Sequence, residues 1–151
     1  MIIVRLIGGV GNQMFQYAAG RRLAYVNNDE LMLDISAFTN YHLRRYSLSG
    51  FNIHEKMATS REVQWIKLIS KPFFRRNFQF LFRKSATYFK PSHWHFDPCI
   101  MKLKGDVYLE GSFQSEKYFK DISEIIRREF TLREMTGRVK RLRKRLRSEN
   151  S

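Results

Sequence analysis

Hydrophobic positions open the chain in a continuous block. Ile2 to Ile7 is a short β-branched apolar run, broken only by Arg5 and closed by glycine, and it predicts a buried strand. The spacing then becomes helical. Phe15, Ala18, Ala19, Leu23 and Val26 fall on one face from Asn12 to about Val26, and Asn27-Asn28-Asp29 ends that helix. Leu31 to Ile35 predicts a second strand. Strand, glycine loop, helix and strand make a βαβ unit, which implies a parallel sheet with a right-handed crossover.

Further along, Phe51-Asn52-Ile53 reads as a short strand. Thr59 with Glu62 three residues later has the form of a capping box, so a helix follows from Ser60 to Ile69 and Pro72 closes it. From Phe73 to Phe89 aromatics and cations interleave (FFRRNFQFLFRKSATYF), matching neither the helical nor the strand period, and no element is assigned. Val107 to Glu110 predicts another strand, ended by Gly111. Ser115 then caps a helix bearing Tyr118, Phe119, Ile122, Ile125 and Ile126 on one face. Thr131 and Glu134 form a second possible capping box ahead of a basic helix over 132–147, with the thin apolar seam Val139, Leu142 and Leu146.

The length, 151 residues, allows one proper core and so one domain. Apolar residues at 43% and 13 phenylalanines argue against disorder. The single cysteine, Cys99, has no partner for an internal disulfide. The first residues lack the basic start and small-residue cleavage site of a signal peptide, and no apolar stretch approaches the roughly 18 residues of a membrane span. The expected location is cytoplasmic. A formal charge of +14 and a pI near 10.3 predict attraction to phosphates, whether of a nucleotide, a nucleic acid or an anionic membrane surface. Seven lysines and arginines lie between Arg138 and Arg147.

The candidate chemistry sits in the glycine loop, IGGVGNQMFQY. Three glycines within four positions, Gly8, Gly9 and Gly11, weaken both helix and strand, so a ligand pressed against the backbone is one reason for them. In a βαβ unit such a loop aims N–H groups and the helix dipole at an anion. The dinucleotide pattern G-x-G-x-x-G fails here because Met14 holds the third glycine position, and no Lys-Ser or Lys-Thr pair makes a phosphate loop. Asn12 and Gln13 stand at the helix start and can offer side-chain amides. The competing reading is a tight turn with Asn12 as an N-cap. Arg5 is read as an ion-pair partner in the first strand, and Asp34 as a cap or loop acceptor before a ribose ligand. His93 and His95 make an H-x-H pair with no cysteine or carboxylate pair beside it, so no metal shell is expected.

The stretch GGVGNQMFQYAAGRRLA closely resembles the opening of the α-1,2-fucosyltransferases of glycosyltransferase family 11. Leu33-Asp34-Ile35-Ser36-Ala37-Phe38 with Tyr41-His42-Leu43-Arg44-Arg45-Tyr46 is similar to the same family, as is LEGSFQSEKYF from Leu109 to Phe119. The resemblance implies an α/β fold, with a Rossmann-like parallel sheet and flanking helices, as the N-terminal, acceptor-side half of a GT-B-like enzyme. It implies inverting transfer of fucose from GDP-fucose to the 2-hydroxyl of a galactoside acceptor glycan, with no cofactor and no obligatory metal. Gly9, Gly11, Asn12 and Gln13 then face the sugar nucleotide. His42, Arg44 and Arg45 are candidate acceptor or phosphate contacts, a solvated basic loop being the alternative. No catalytic residue is assigned. The family's His-x-Arg-x-Gly-Asp-Tyr segment, which supplies much of the diphosphate binding, does not occur in these residues. The expectation is therefore a chain truncated before its donor half and inactive alone, serving surface-glycan synthesis at the inner membrane face. A basic domain that binds an anionic membrane surface or nucleic acid is the second reading, and nucleic acid is the weaker part of it because no recognised nucleic-acid motif is present.

Overall fold

The computed structural model describes residues 1–39, 43–74, 86–92 and 95–133. Four short strands, β1 (Ile2–Arg5), β2 (Leu31–Asp34), β3 (Ala86–Phe89) and β4 (Asp106–Leu109), form one sheet in the order β2-β1-β4-β3. Every pairing is parallel. Ile2 stands opposite Leu31 and Val107, and Phe89 opposite Leu109, so the carboxyl ends of all four strands lie along one edge of the sheet.

Alternation along each strand fills both faces. Ile2, Val4, Leu33, Val107 and Leu109 pack on the side of α1 (Val10–Asn27), in the larger core with Tyr17, Ala18, Ala19 and Leu23. Ile3, Met32, Ala86 and Tyr108 face the other way, against Ile66 and Ile69 of α2 (Ser60–Ile69). A parallel sheet covered on both faces accounts for the near-continuous apolar reading of β1 and β2. At its carboxyl end α1 stops at Asn28, whose left-handed backbone returns its N–H to the carbonyls of Ala24 and Tyr25. The expected capping box is present on α2: Thr59 accepts from the Glu62 N–H, and Glu62 accepts from the Thr59 N–H at 2.7 Å.

Two local expectations need correction, and one unassigned stretch gains an element. Phe51 makes only an isolated bridge to Leu132, so no strand forms over 51–53. β3 ends the stretch for which periodicity gave no element. The helix expected from Ser115 begins instead as two short 3-10 turns, Glu116–Tyr118 and Lys120–Ile122, before α3 (Ser123–Glu129). Phe119 between the turns has φ −144°, which no α-helix accommodates. Glu134 and the basic 132–147 helix lie outside the described residues, apart from Leu132 and Arg133. α3 is tied back to α1 through Glu129, which accepts from the Tyr17 hydroxyl at 2.7 Å and from Arg21 Nε at 2.9 Å. Burial first, then the Glu129 hydrogen bond, pushes the Tyr17 phenol well above its ordinary range.

Candidate functional site

From β1 the chain crosses through α1 to β2 on one side, while β4 and β3 lie on the other. The boundary between β1 and β4 is thus the point where a parallel sheet opens a crevice beyond its carboxyl ends. Two loops meet there. The first runs from Ile7 to Gly9 into α1, and the second leaves β4 through Glu110 to Gln114.

In the first loop Gly8 has φ +77°, and a Cβ on it would stand 2.7 Å from Asn12 Nδ2. Glycine is required there twice, for the backbone and for the place that the Asn12 amide occupies. Gly9 is the N-cap, and its side chain makes no capping bond because it has none. The Arg44 guanidinium reaches the same loop, with Nη1 4.0 Å from the position of a Gly9 Cβ. At Gly11 the situation differs. A Cβ there meets nothing within 4 Å, so nothing inside the described protein demands a glycine.

Side-chain amides hold both loops in place. Gln13 is fully buried; its Nε2 donates to the carbonyls of Gly8 and Arg45, both at 2.9 Å, and its Oε1 accepts from the Ser47 N–H at 2.9 Å. Gln16, also fully buried, accepts from the Ile7 N–H at 2.9 Å and donates to the Gly111 carbonyl at 3.1 Å. Gln114 crosses from the second loop and donates to Asn12 Oδ1 at 2.6 Å. All three motif stretches of the sequence therefore converge on one point. With one Oδ1 site taken by Gln114, Asn12 still offers its Nδ2 donor above Gly8.

The second loop is shaped by packing. A Cβ on Gly111 would lie 2.9 Å from Pro91 Cδ and 3.1 Å from the Phe113 ring. Phe113 is buried with φ +52°, a left-handed conformation that is uncommon for a bulky residue. Its ring stands edge-on to Tyr118 at 5.4 Å, and Tyr118 in turn packs on Phe96. Glu110 begins this loop. It pairs with Arg5 at 3.1 Å and Lys90 at 3.3 Å and accepts from the Tyr88 hydroxyl at 2.9 Å. Burial alone would raise its carboxyl, but the Tyr88 hydrogen bond and the Arg5 charge outweigh burial and hold it below the ordinary carboxylate range. Between the ends of β3 and β4 opens a cleft of about 330 Å³. Ile7, Pro91, Phe113 and Tyr118 form its apolar walls. Lys90, Ser92, His95, Glu110 and Ser112 supply its polar groups.

Of the residues expected to contact a ligand, Gly9, Gly11, Asn12 and Arg44 gather at the mouth of the first loop. Gln13 lies one layer behind, with its amide committed to the backbone, and Arg45 offers its carbonyl to Gln13. His42 lies outside the described residues. Asp34 is a loop acceptor: it takes the Ser36 N–H at 2.9 Å and the Tyr108 hydroxyl at 2.6 Å. Burial would raise that carboxyl, yet the bonds from Ser36 and Tyr108 leave it below its ordinary value. Gln16, Gln114, Glu110, Lys90 and Ser112 had not been singled out. Gln16 was within reach of the periodicity, because residues 13, 16, 17, 20 and 24 share the buried face of α1. Among the described residues no group of three His, Cys, Asp or Glu side chains is arranged to hold a metal ion, and no helix is long and apolar enough to cross a membrane.

No protein-family profile and no solved structure matches the chain. Among curated proteins it is similar to an alpha-1,2-colitosyltransferase of Escherichia coli, 30% identical over 147 residues that cover 87% of this chain and 45% of the relative. It is also similar to the O-antigen biosynthesis glycosyltransferase WbnK of Escherichia coli, 41% identical over 70 residues that cover 42% of this chain and 23% of the relative. The chain thus spans less than half the length of the curated relatives it matches. Those relatives are glycosyltransferases by name.

Proposed function

We propose that this chain, as a relative of glycosyltransferases, is the N-terminal, acceptor-side part of a GT-B-like, inverting α-1,2-fucosyltransferase that uses GDP-fucose to modify a galactoside of a surface glycan. The observation that carries the reading is the built state of the first loop. Gln114 takes one end of the Asn12 carboxamide and leaves the Nδ2 donor over Gly8, beside the Arg44 guanidinium and the N–H groups that open α1. Donors, a cation and a helix dipole converging on exposed glycine backbone suit a sugar diphosphate. In a displacement with inversion, such donors stabilise the departing diphosphate as its charge develops. The amides of Gln13 and Gln16 contribute by fixing the loop that presents them. The relatives' printed names, a colitosyltransferase with α-1,2 linkage and an O-antigen glycosyltransferase, favour a deoxysugar donor and a surface-glycan product.

The test is a titration of the isotope-labelled chain with GDP-fucose, followed by amide NMR. Shifts should centre on residues 8–13, and Asn12→Ala should weaken binding about tenfold, the scale for one hydrogen bond to a charged group. Unchanged affinity in Asn12→Ala, or shifts confined to another surface, would contradict the reading.

A further inference from the structure

The cleft beyond β4 has a chemistry unlike that of the glycine loop. Among the described residues its charged groups are engaged with one another: Glu110 pairs with Lys90 at 3.3 Å and with Arg5 at 3.1 Å, and accepts from the Tyr88 hydroxyl. What remains for a ligand is the hydroxyls of Ser92 and Ser112 and the His95 imidazole, set against the apolar faces of Pro91, Phe113 and Tyr118. Walls that are apolar on one side and hydrogen-bonding on the other fit an uncharged pyranose, which has a C–H face and a rim of hydroxyls. Another cavity, about 320 Å³ beside Arg21, His54 and Lys56, lies at the amino end of β2 and is crossed by ion pairs, so it offers no comparable surface.

Position adds to composition. Ile7 is both a wall of the cleft and the residue that leads into the glycine loop, and Gln16 joins its N–H to the Gly111 carbonyl on the cleft floor. Gln114 to Asn12 is a second tie between the two regions. A ligand in the cleft and one on the glycine loop would share a wall, which is the proximity that group transfer needs.

We infer that the cleft at the ends of β3 and β4 is the acceptor subsite and takes an uncharged sugar residue of the glycan between Ser92, Ser112 and the Phe113–Tyr118 wall. This assignment rests on the transferase reading above. The strained Phe113 turn serves to hold the apolar wall at a fixed distance from the polar side.

The experiment uses the labelled chain with two kinds of probe: GDP, and the methyl glycosides of galactose, glucose, N-acetylgalactosamine and N-acetylglucosamine. At least one glycoside should shift the amides of Lys90 and of residues 110–113, and Ser92→Trp, at an exposed position in the cleft lining, should weaken it by about tenfold or more. Ser112→Ala removes one hydroxyl without adding bulk and should weaken the same glycoside by a smaller factor. GDP should shift residues 8–13 and bind Ser92→Trp with unchanged affinity. Failure of every glycoside to shift the cleft amides, or indifference to both substitutions, overturns the subsite while GDP at the loop leaves the donor reading standing. Glycoside binding in the cleft with GDP absent from the loop would support the subsite and remove the donor reading.

Discussion

The loops after β1 and β4 stand side by side at the same end of the sheet, are joined by the Gln16 amide, and differ in what else holds them. The first is fixed by amide groups that reach its backbone from behind, Gln13 on Gly8 and Gln16 on Ile7. Hydrogen bonds of that kind set geometry without filling space, so the outer surface at Gly9 and Gly11 stays bare. The second is fixed by crowding: Pro91 and Phe113 close on Gly111, and Phe113 accepts a left-handed backbone to do so. Crowding produces walls, and walls produce a cleft. A bare cationic ledge suits a diphosphate, and an apolar-walled cleft whose charged groups are paired with one another suits a neutral sugar.

The comparison is broken most severely by removing a clip. Gln13→Ala leaves the carbonyls of Gly8 and Arg45 and the Ser47 N–H without the buried amide they share. Gly8 is half-buried and Arg45 and Ser47 are exposed, so the low end of about 1–3 kcal/mol for each unsatisfied group applies and the expected loss is about 3 kcal/mol. A fall in the urea midpoint at constant slope measures it. Gly111→Ala comes next. Its methyl group meets Pro91 and Phe113 too closely, and overpacking of this kind costs about 1–3 kcal/mol. Because the fault lies in the second loop alone, glycoside binding should fall further than GDP binding does.

A pH profile gives a smaller effect with a definite sign. Asp34 and Glu110 both have folded values below those of ordinary carboxylates. Their contribution is therefore present above the unfolded pKa, about 4, and is lost as pH falls through the folded values. Stability should decline on acidification below about pH 4, and the decline should be shallower in Asp34→Asn. An identical slope in that variant would place the acid sensitivity elsewhere.

Much of the frame was legible because its signals are local. The capping box fixed α2 over Ser60–Ile69, and the apolar runs placed β1, β2 and β4 to within two residues. β3 was hidden because Tyr88 is exposed and Thr87 and Phe89 are only half-buried, which leaves no clean alternation to detect. The helix expected after Ser115 failed at Phe119, where the packing of Phe15 against the Phe119 ring at 6.0 Å accompanies a non-helical backbone (φ −144°, ψ 17°) that no periodicity reveals. In the site, the glycines and Asn12 announced themselves by composition. The polar character of Gln13 and Gln16 pointed outward, whereas their spacing pointed inward, and the spacing was the better guide. The cleft could not be read at all, since it joins Lys90 and Pro91 to Gly111 and Phe113 through a sheet pairing that only the fold creates.

Gly11 offers the most direct test of the claim that the first loop is shaped for a ligand. A methyl group there meets no atom of the described protein, and alanine favours a helix over glycine by up to about 1 kcal/mol. Denaturation and GDP-fucose titration of Gly11→Ala on the same preparation separate the two reasons for a glycine. The account predicts unchanged or slightly higher stability together with an affinity lower by about tenfold or more. Undiminished binding in a protein at least as stable would mean that no ligand lies against Gly11, and would contradict it.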